Sequence, residues 1–94
     1  MQKKGGHVQP SEGPEKAFGQ ALRELRLATG MSQETLALEC DVDRTYISLL
    51  ERGIKSPTLR TMVRLCDILR ISFTEMAKNV DSILAQQPTS RRKS

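Results

Sequence analysis

Residues 33–53, QETLALECDVDRTYISLLERG, constrain this chain more than any other stretch. Apolar residues recur there at helical spacing on both sides of a short polar break: Leu36, Ala37 and Cys40 before it, Ile47 and Leu50 after it. That is the period of two amphipathic helices, each only about two turns long. Isolated helices shorter than about 12 residues are marginal in water. Such a pair must be clamped by neighbouring elements, and its layout must answer to something besides its own small core.

The flanking sequence supplies the clamps. Pro14 suits a first helical turn, because the N–H it lacks would be unpaired there anyway. From it, Phe18, Ala21, Leu22, Leu25 and Ala28 mark one buried face of helix 1, and Gly30 ends that helix. Ser32 is a suitable N-cap for helix 2, Gln33 to Cys40, and Asp43 for helix 3, Arg44 to Arg52, which Gly53 closes. After the loop Ile54-Lys55-Ser56-Pro57, Thr58 caps helix 4, whose apolar stripe is Leu59, Met62, Val63, Cys66 and Leu69. Ser72 with Glu75 forms a capping box for helix 5, patterned by Phe73, Met76, Ala77, Val80, Ile83 and Leu84. No two-residue alternation, Asn-Gly hairpin signal or internal repeat competes with this reading. The expectation is an all-α domain of five helices over residues 14–86. Tails rich in polar residues, 1–13 and 87–94, should be disordered.

A chain of 94 residues is one domain and buries about 60% of its unfolded surface, enough for a helical core but not for a deep catalytic cavity. There is no run of about 18 apolar residues to span a membrane, and no apolar signal core at the N-terminus, so a cytoplasmic protein is expected. Cys40 and Cys66 lack CxxC spacing and read as reduced apolar fillers. His7, the only histidine, lies in the N-terminal tail without a second ligand, so no metal is expected. No nucleophile–base set and no Gly-rich phosphate loop stand in the folded part. Glu34, Glu39, Asp41 and Asp43 read as caps and solvated helix residues. The expectation is a protein that is not an enzyme and has no cofactor. No small-molecule ligand is expected either, since a separate sensory domain does not fit in this length.

The net charge of +4 says less than it suggests. Lys3 and Lys4 lie in the first tail and Arg91, Arg92 and Lys93 in the last, whereas residues 15–86 hold ten basic and ten acidic side chains. Any interaction with a polyanion must therefore rest on how charge is segregated within the domain.

Ala37 and Val42 fit a tight helical corner: a small residue lets two backbones cross closely, and an apolar one plugs the turn. Beyond the corner, Asp43, Arg44, Thr45, Tyr46 and Ser48 crowd the start and outer face of helix 3. A helix that reads DNA does so with side chains near its N-terminus, and Arg can donate two hydrogen bonds to guanine. On composition alone, the alternative that Arg44 is an ordinary solvated helix residue stays open.

The run Gln33-x-x-Leu36-Ala37-x-x-x-x-Val42-x-x-x-x-Ile47-Ser48-x-x-Glu51-x-Gly53 continues through Pro57-Thr58-Leu59 and Ile71-Ser72-Phe73-x-Glu75. It resembles the lambda-repressor-like (Cro/repressor, XRE) helix-turn-helix proteins across about residues 15–80. Within them, Asp43-Arg44-Thr45-Tyr46-Ile47-Ser48 is most similar to the small controller proteins of restriction-modification systems. The resemblance implies a sequence-specific regulator of transcription that binds the major groove of double-stranded DNA, in a bacterial or phage-like cytoplasm. It implies base contacts from Arg44, Thr45, Ser48 and Asp43. Phosphate contacts would come from Gln33, Tyr46, Arg52, Lys55, Ser56 and Thr58. Arg26 and Glu51 match a partly buried ion pair tying helix 1 to the end of helix 3. Such proteins usually bind as dimers to half-sites about 34–36 Å apart, which predicts a palindromic operator. Val80, Ile83 and Leu84 extend the helix 5 stripe and are the expected homodimer surface, with packing on helix 1 of the same chain as the competing use. Three residues depart from the family pattern: Asp41 in place of a turn glycine, Arg70 in place of a glycine after helix 4, and Leu49 at an outward position. The rival functional reading is a module of this fold that binds protein, such as an antitoxin or adaptor.

Overall fold

The computed structural model describes residues 13–87; of the expected tails at 1–13 and 87–94, all but Gly13 and Gln87 lie outside the described residues. Five helices follow one another: α1 Pro14–Thr29, α2 Gln33–Cys40, α3 Arg44–Glu51, α4 Leu59–Leu69 and α5 Phe73–Gln86. The ends are set by local chemistry, largely as the sequence dictates. Ser32 Oγ accepts from Thr35 N at 3.0 Å, Thr58 Oγ1 from Thr61 N at 3.1 Å and Ser72 Oγ from Glu75 N at 2.9 Å. Each bond satisfies one of the amides that a helix start leaves without a partner. Asp43 is the exception. It holds the N-cap position of α3 in an extended conformation, but its side chain makes no cap hydrogen bond. Its carboxylate is exposed at the tip of the turn instead.

The chain reverses after α2 and after α4 through left-handed residues that are not glycine. Asp41 and Arg70 both have φ of 62°. For L-residues this conformation costs about 1–2 kcal/mol, so the two departures from the family pattern keep the backbone shape and bear its strain.

α1 is the spine of the domain. It packs along α5 on one side and against α3 on another, while α2 lies on α3 and α4. The α1–α3 approach is a backbone contact: a Cβ on Gly19 would collide with the Leu50 carbonyl oxygen and lie 2.6 Å from that of Glu51. Nothing larger than glycine fits at that crossing. The core joins Leu22, Leu36, Cys40, Ile47, Leu50, Leu65, Cys66 and Met76, all essentially without exposure. Both cysteines are free and buried, and loss of hydration, the largest effect at each, pushes both thiols above their ordinary pKa.

Five apolar positions that periodicity places inward point elsewhere. Ala28 and Ala77 are exposed, and Leu59, Val63 and Phe73 are 62%, 43% and 43% exposed. α4 has apolar residues around more than half its girth, and packing on α2 and α5 selects Leu65, Cys66 and Leu69 as the buried set. Leu59 and Val63 are left on the flank. At the far end of the domain, Gln87 closes the fold. Its side chain accepts from Gly13 N at 3.0 Å and donates to Gly13 O at 3.2 Å, so residues assigned to the two tails are clasped together.

Candidate nucleic-acid interface

The corner between α2 and α3 is built from backbone satisfaction and small residues. Val42 N donates to Ala37 O at 3.0 Å and Asp41 N to Leu38 O at 3.2 Å, while Arg64 Nη1 reaches Cys40 O at 3.1 Å. Three carbonyls at the end of α2 thereby find donors. Ala37 is buried at the crossing and Val42 packs under it against the core. α3 is anchored by Ile47 and Leu50, both at 0% exposure, and this decides where its other residues go. Asp43, Arg44 and Thr45 are exposed at the leading end, with Ser48 half-buried one turn on. Tyr46 differs from its neighbours: its ring packs partly against the core, so the residue is tethered to the domain rather than projecting freely.

Beneath this helix lies the ion pair. Arg26 Nε and Nη2 donate to the two Glu51 carboxylate oxygens at 2.6 and 3.0 Å, with side-chain exposures of 8% and 2%. Arg26 Nη1 also donates to Met31 O at 2.9 Å. The guanidinium pKa is held above its ordinary value, first by the hydrogen bond to Glu51, against the opposing pull of desolvation. Gln33 joins the same group, its Nε2 donating to Glu51 Oε1 at 3.0 Å. One carboxylate therefore ties α1, the start of α2 and the end of α3 together. The Gln33 amide, expected to be free for a phosphate, has one of its donors occupied here.

The remaining candidates fall in separate places. Arg52 caps α3 and is exposed, beside the Arg26–Glu51 pair. Lys55 is exposed on the α3–α4 loop. Thr58 is exposed, but its hydroxyl accepts from Thr61 N and donates to Thr61 Oγ1 at 3.0 Å, so its first duty is the α4 cap. Ser56 borders a different feature, an apolar groove of about 530 Å3 between α1, the α3–α4 loop and α5.

A helix-turn-helix family model matches residues 22–76 of this chain. The control protein C.BamHI of Bacillus amyloliquefaciens is 46% identical over 55 residues, covering 57% of this chain and 68% of that one. The crystal structure of the clp gene regulator ClgR from Corynebacterium glutamicum superposes with a TM-score of 0.77 at 29% identity, covering 81% of each chain. The restriction-modification controller C.Esp1396I, solved as a tetramer in complex with its natural 35 base-pair operator, gives 0.71 at 26% identity, with 78% of this chain and 96% of that one covered. This chain belongs to the XRE-type helix-turn-helix family.

In this XRE-type domain, the helix 5 residues divide. Ile83, at 9% exposure, is spent on the core of its own chain, where α5 lies along α1. It therefore leaves the expected dimer surface. Val80 and Leu84 are half-buried and line the apolar groove with Phe18, Met62 and Phe73. Phe73 was assigned to the core from its spacing. It stands in the first turn of α5, at the edge of the groove that α5 shares with α1. None of the described helices is long and apolar enough to cross a membrane.

Proposed function

We propose that this XRE-type protein is a sequence-specific regulator of transcription that binds double-stranded DNA as a homodimer on a palindromic operator. Among family members, we place it with the controllers of restriction-modification systems. The observation that carries the reading is the polarity of α3: two side chains sealed at 0% exposure on one face, and Arg44 and Thr45 free at the leading end of the other. A rigid helix with exposed donors at its N-terminus suits the major groove, where Arg44 would address a guanine and Thr45 a thymine methyl group. Ser48 and Asp43 would complete the base-reading set. Arg52, Lys55 and the first turns of α2 and α4 would meet phosphates, with Tyr46, Gln33, Ser56 and Thr58 as further polar contacts. The role is binding and not catalysis, performed in the cytoplasm where the operator lies.

Dimerisation is assigned to the groove edge, through Val80 and Leu84 with Phe73, whose exposed ring would be covered by a second copy. C.Esp1396I, solved as a tetramer on its operator, is a precedent for assembly on DNA in a protein of this shape.

Selection from a random duplex pool tests the reading. Enrichment of a palindrome is expected, and Arg44→Ala should remove the preference while leaving the melting curve unchanged. The loss at the contacted base pair should be about 1–3 kcal/mol. Failure to enrich any sequence would refute the regulator and turn attention to a protein partner. Sedimentation that finds only monomer, with and without the duplex, would remove the dimer.

A further inference from the structure

Beside α3 lies a flank that none of the roles above uses. Lys16, Gln20, Arg23 and Leu27 fall at successive helical turns on one face of α1, and all four border a surface depression shared with Gln33, Ser48 and Arg52. Their juxtaposition is set by backbone contacts. Gly53, next to Arg52, sits so close to α1 that a Cβ there would lie 2.8 Å from Lys16 Cα. Gly19 brings α1 against the end of α3 in the same way.

The charge in this depression is not balanced. Four cations border it against two carboxylates. One cation, Arg26, is spent on Glu51, and Glu24 accepts from Gln20 Nε2 at 3.2 Å. Lys16, Arg23 and Arg52 form no ion pair among the described residues. Residues 15–86 carry equal numbers of the two signs, so this local excess is charge set apart from the rest. The outward side of α2 shows the opposite bias, with Glu34, Glu39 and Asp41 exposed.

We propose that Lys16 and Arg23, with Arg52, form a second DNA-backbone surface that runs from the base-reading helix onto α1 and grips phosphates beyond the groove that α3 enters. The assignment rests on the DNA-binding reading above and extends it to a helix outside the helix-turn-helix. Continuity carries the choice of ligand: Ser48 and Gln33 sit on the rim where the depression meets the α2–α3 face, so a duplex seated on α3 brings its backbone to these cations. The exposed Leu27 side chain supplies an apolar surface for a deoxyribose. Phosphate contacts of this kind position a protein without reading sequence. The surface therefore adds affinity and register to every duplex alike.

The test uses the full chain, the duplex selected from the random pool, and a shuffled duplex of equal length and composition. Binding is followed by fluorescence anisotropy through a salt series. Lys16→Ala/Arg23→Ala is expected to weaken both duplexes by the same factor. It should flatten the slope of log K against log salt by about 0.9 for each phosphate lost, or about 1.8 per protomer. Lys16→Gln/Arg23→Gln, which keeps most of the Lys16 stem that lies near Gly53, should give the same flattening with an unchanged melt. A wild-type slope in the Gln variant would overturn the proposal, as would a loss confined to the selected duplex. A wild-type chain that binds neither duplex would instead refute DNA binding itself.

Discussion

Replacing Glu51 by alanine tests the mechanical basis of the recognition surface. The carboxylate, 2% exposed, accepts from Arg26 Nε at 2.6 Å, Arg26 Nη2 at 3.0 Å and Gln33 Nε2 at 3.0 Å. Its removal strands a guanidinium whose side chain is 8% exposed and whose one remaining partner is the Met31 carbonyl at 2.9 Å. Breaking a buried pair from one side costs about 3–5 kcal/mol, because the surviving charge can neither return to water nor find a new counterion. Each kcal/mol lowers the melting point of a domain this size by about 4–8 °C, so Glu51→Ala should fall by at least about 12 °C. Lys55→Ala, at an exposed loop position, should change stability by no more than about 0.5 kcal/mol. Thermal and urea melts followed by circular dichroism measure both. Arg26→Met/Glu51→Leu completes the argument: with both charges gone, most of the loss should be recovered, since well-packed apolar residues often replace a buried pair at little cost. Equal losses for Glu51→Ala and Lys55→Ala, or a double variant weaker than Glu51→Ala, would refute the reasoning.

Two further outcomes follow from the packing. Gly19→Ala gains about 1 kcal/mol of helix propensity but drives a methyl group into the Leu50 and Glu51 carbonyls, so a net destabilisation of about 1–3 kcal/mol is expected by urea titration; a stabilised variant would disprove the α1–α3 backbone contact. The thiols of Cys40 and Cys66 ionise near 9.0 in the unfolded chain and higher in the fold, where burial holds their protons. The unfolded state thus sheds these protons first, so their contribution to stability is complete below pH 9.0 and declines as pH rises past it. Urea midpoints measured on both sides of that value should show the decline, and a Cys40→Ala/Cys66→Ala variant should show less of it.

Residue order alone sufficed to place the five helices, because helix starts and stops are local chemistry. Ser32, Thr58 and Ser72 announce themselves as caps, Gly30 as a stop, and three- and four-residue spacing needs no tertiary knowledge. The polar leading end of α3 shows in the residue pattern, whereas the Arg26–Glu51 pair was legible only through resemblance, since 25 residues of chain separate the two charges. Tertiary structure alone decided which apolar residues were surplus. Periodicity gives a helix an apolar side, but the neighbours choose how much of it they cover: α4 turned Leu65 inward and left Leu59 and Val63 out, and α5 gave Ile83 to its own core while Phe73 stayed at the groove edge. The same holds for Lys16 and Arg23. In the sequence they are scattered cations of a neutral domain, and they become a surface only because two glycines let α1 lie against the end of α3.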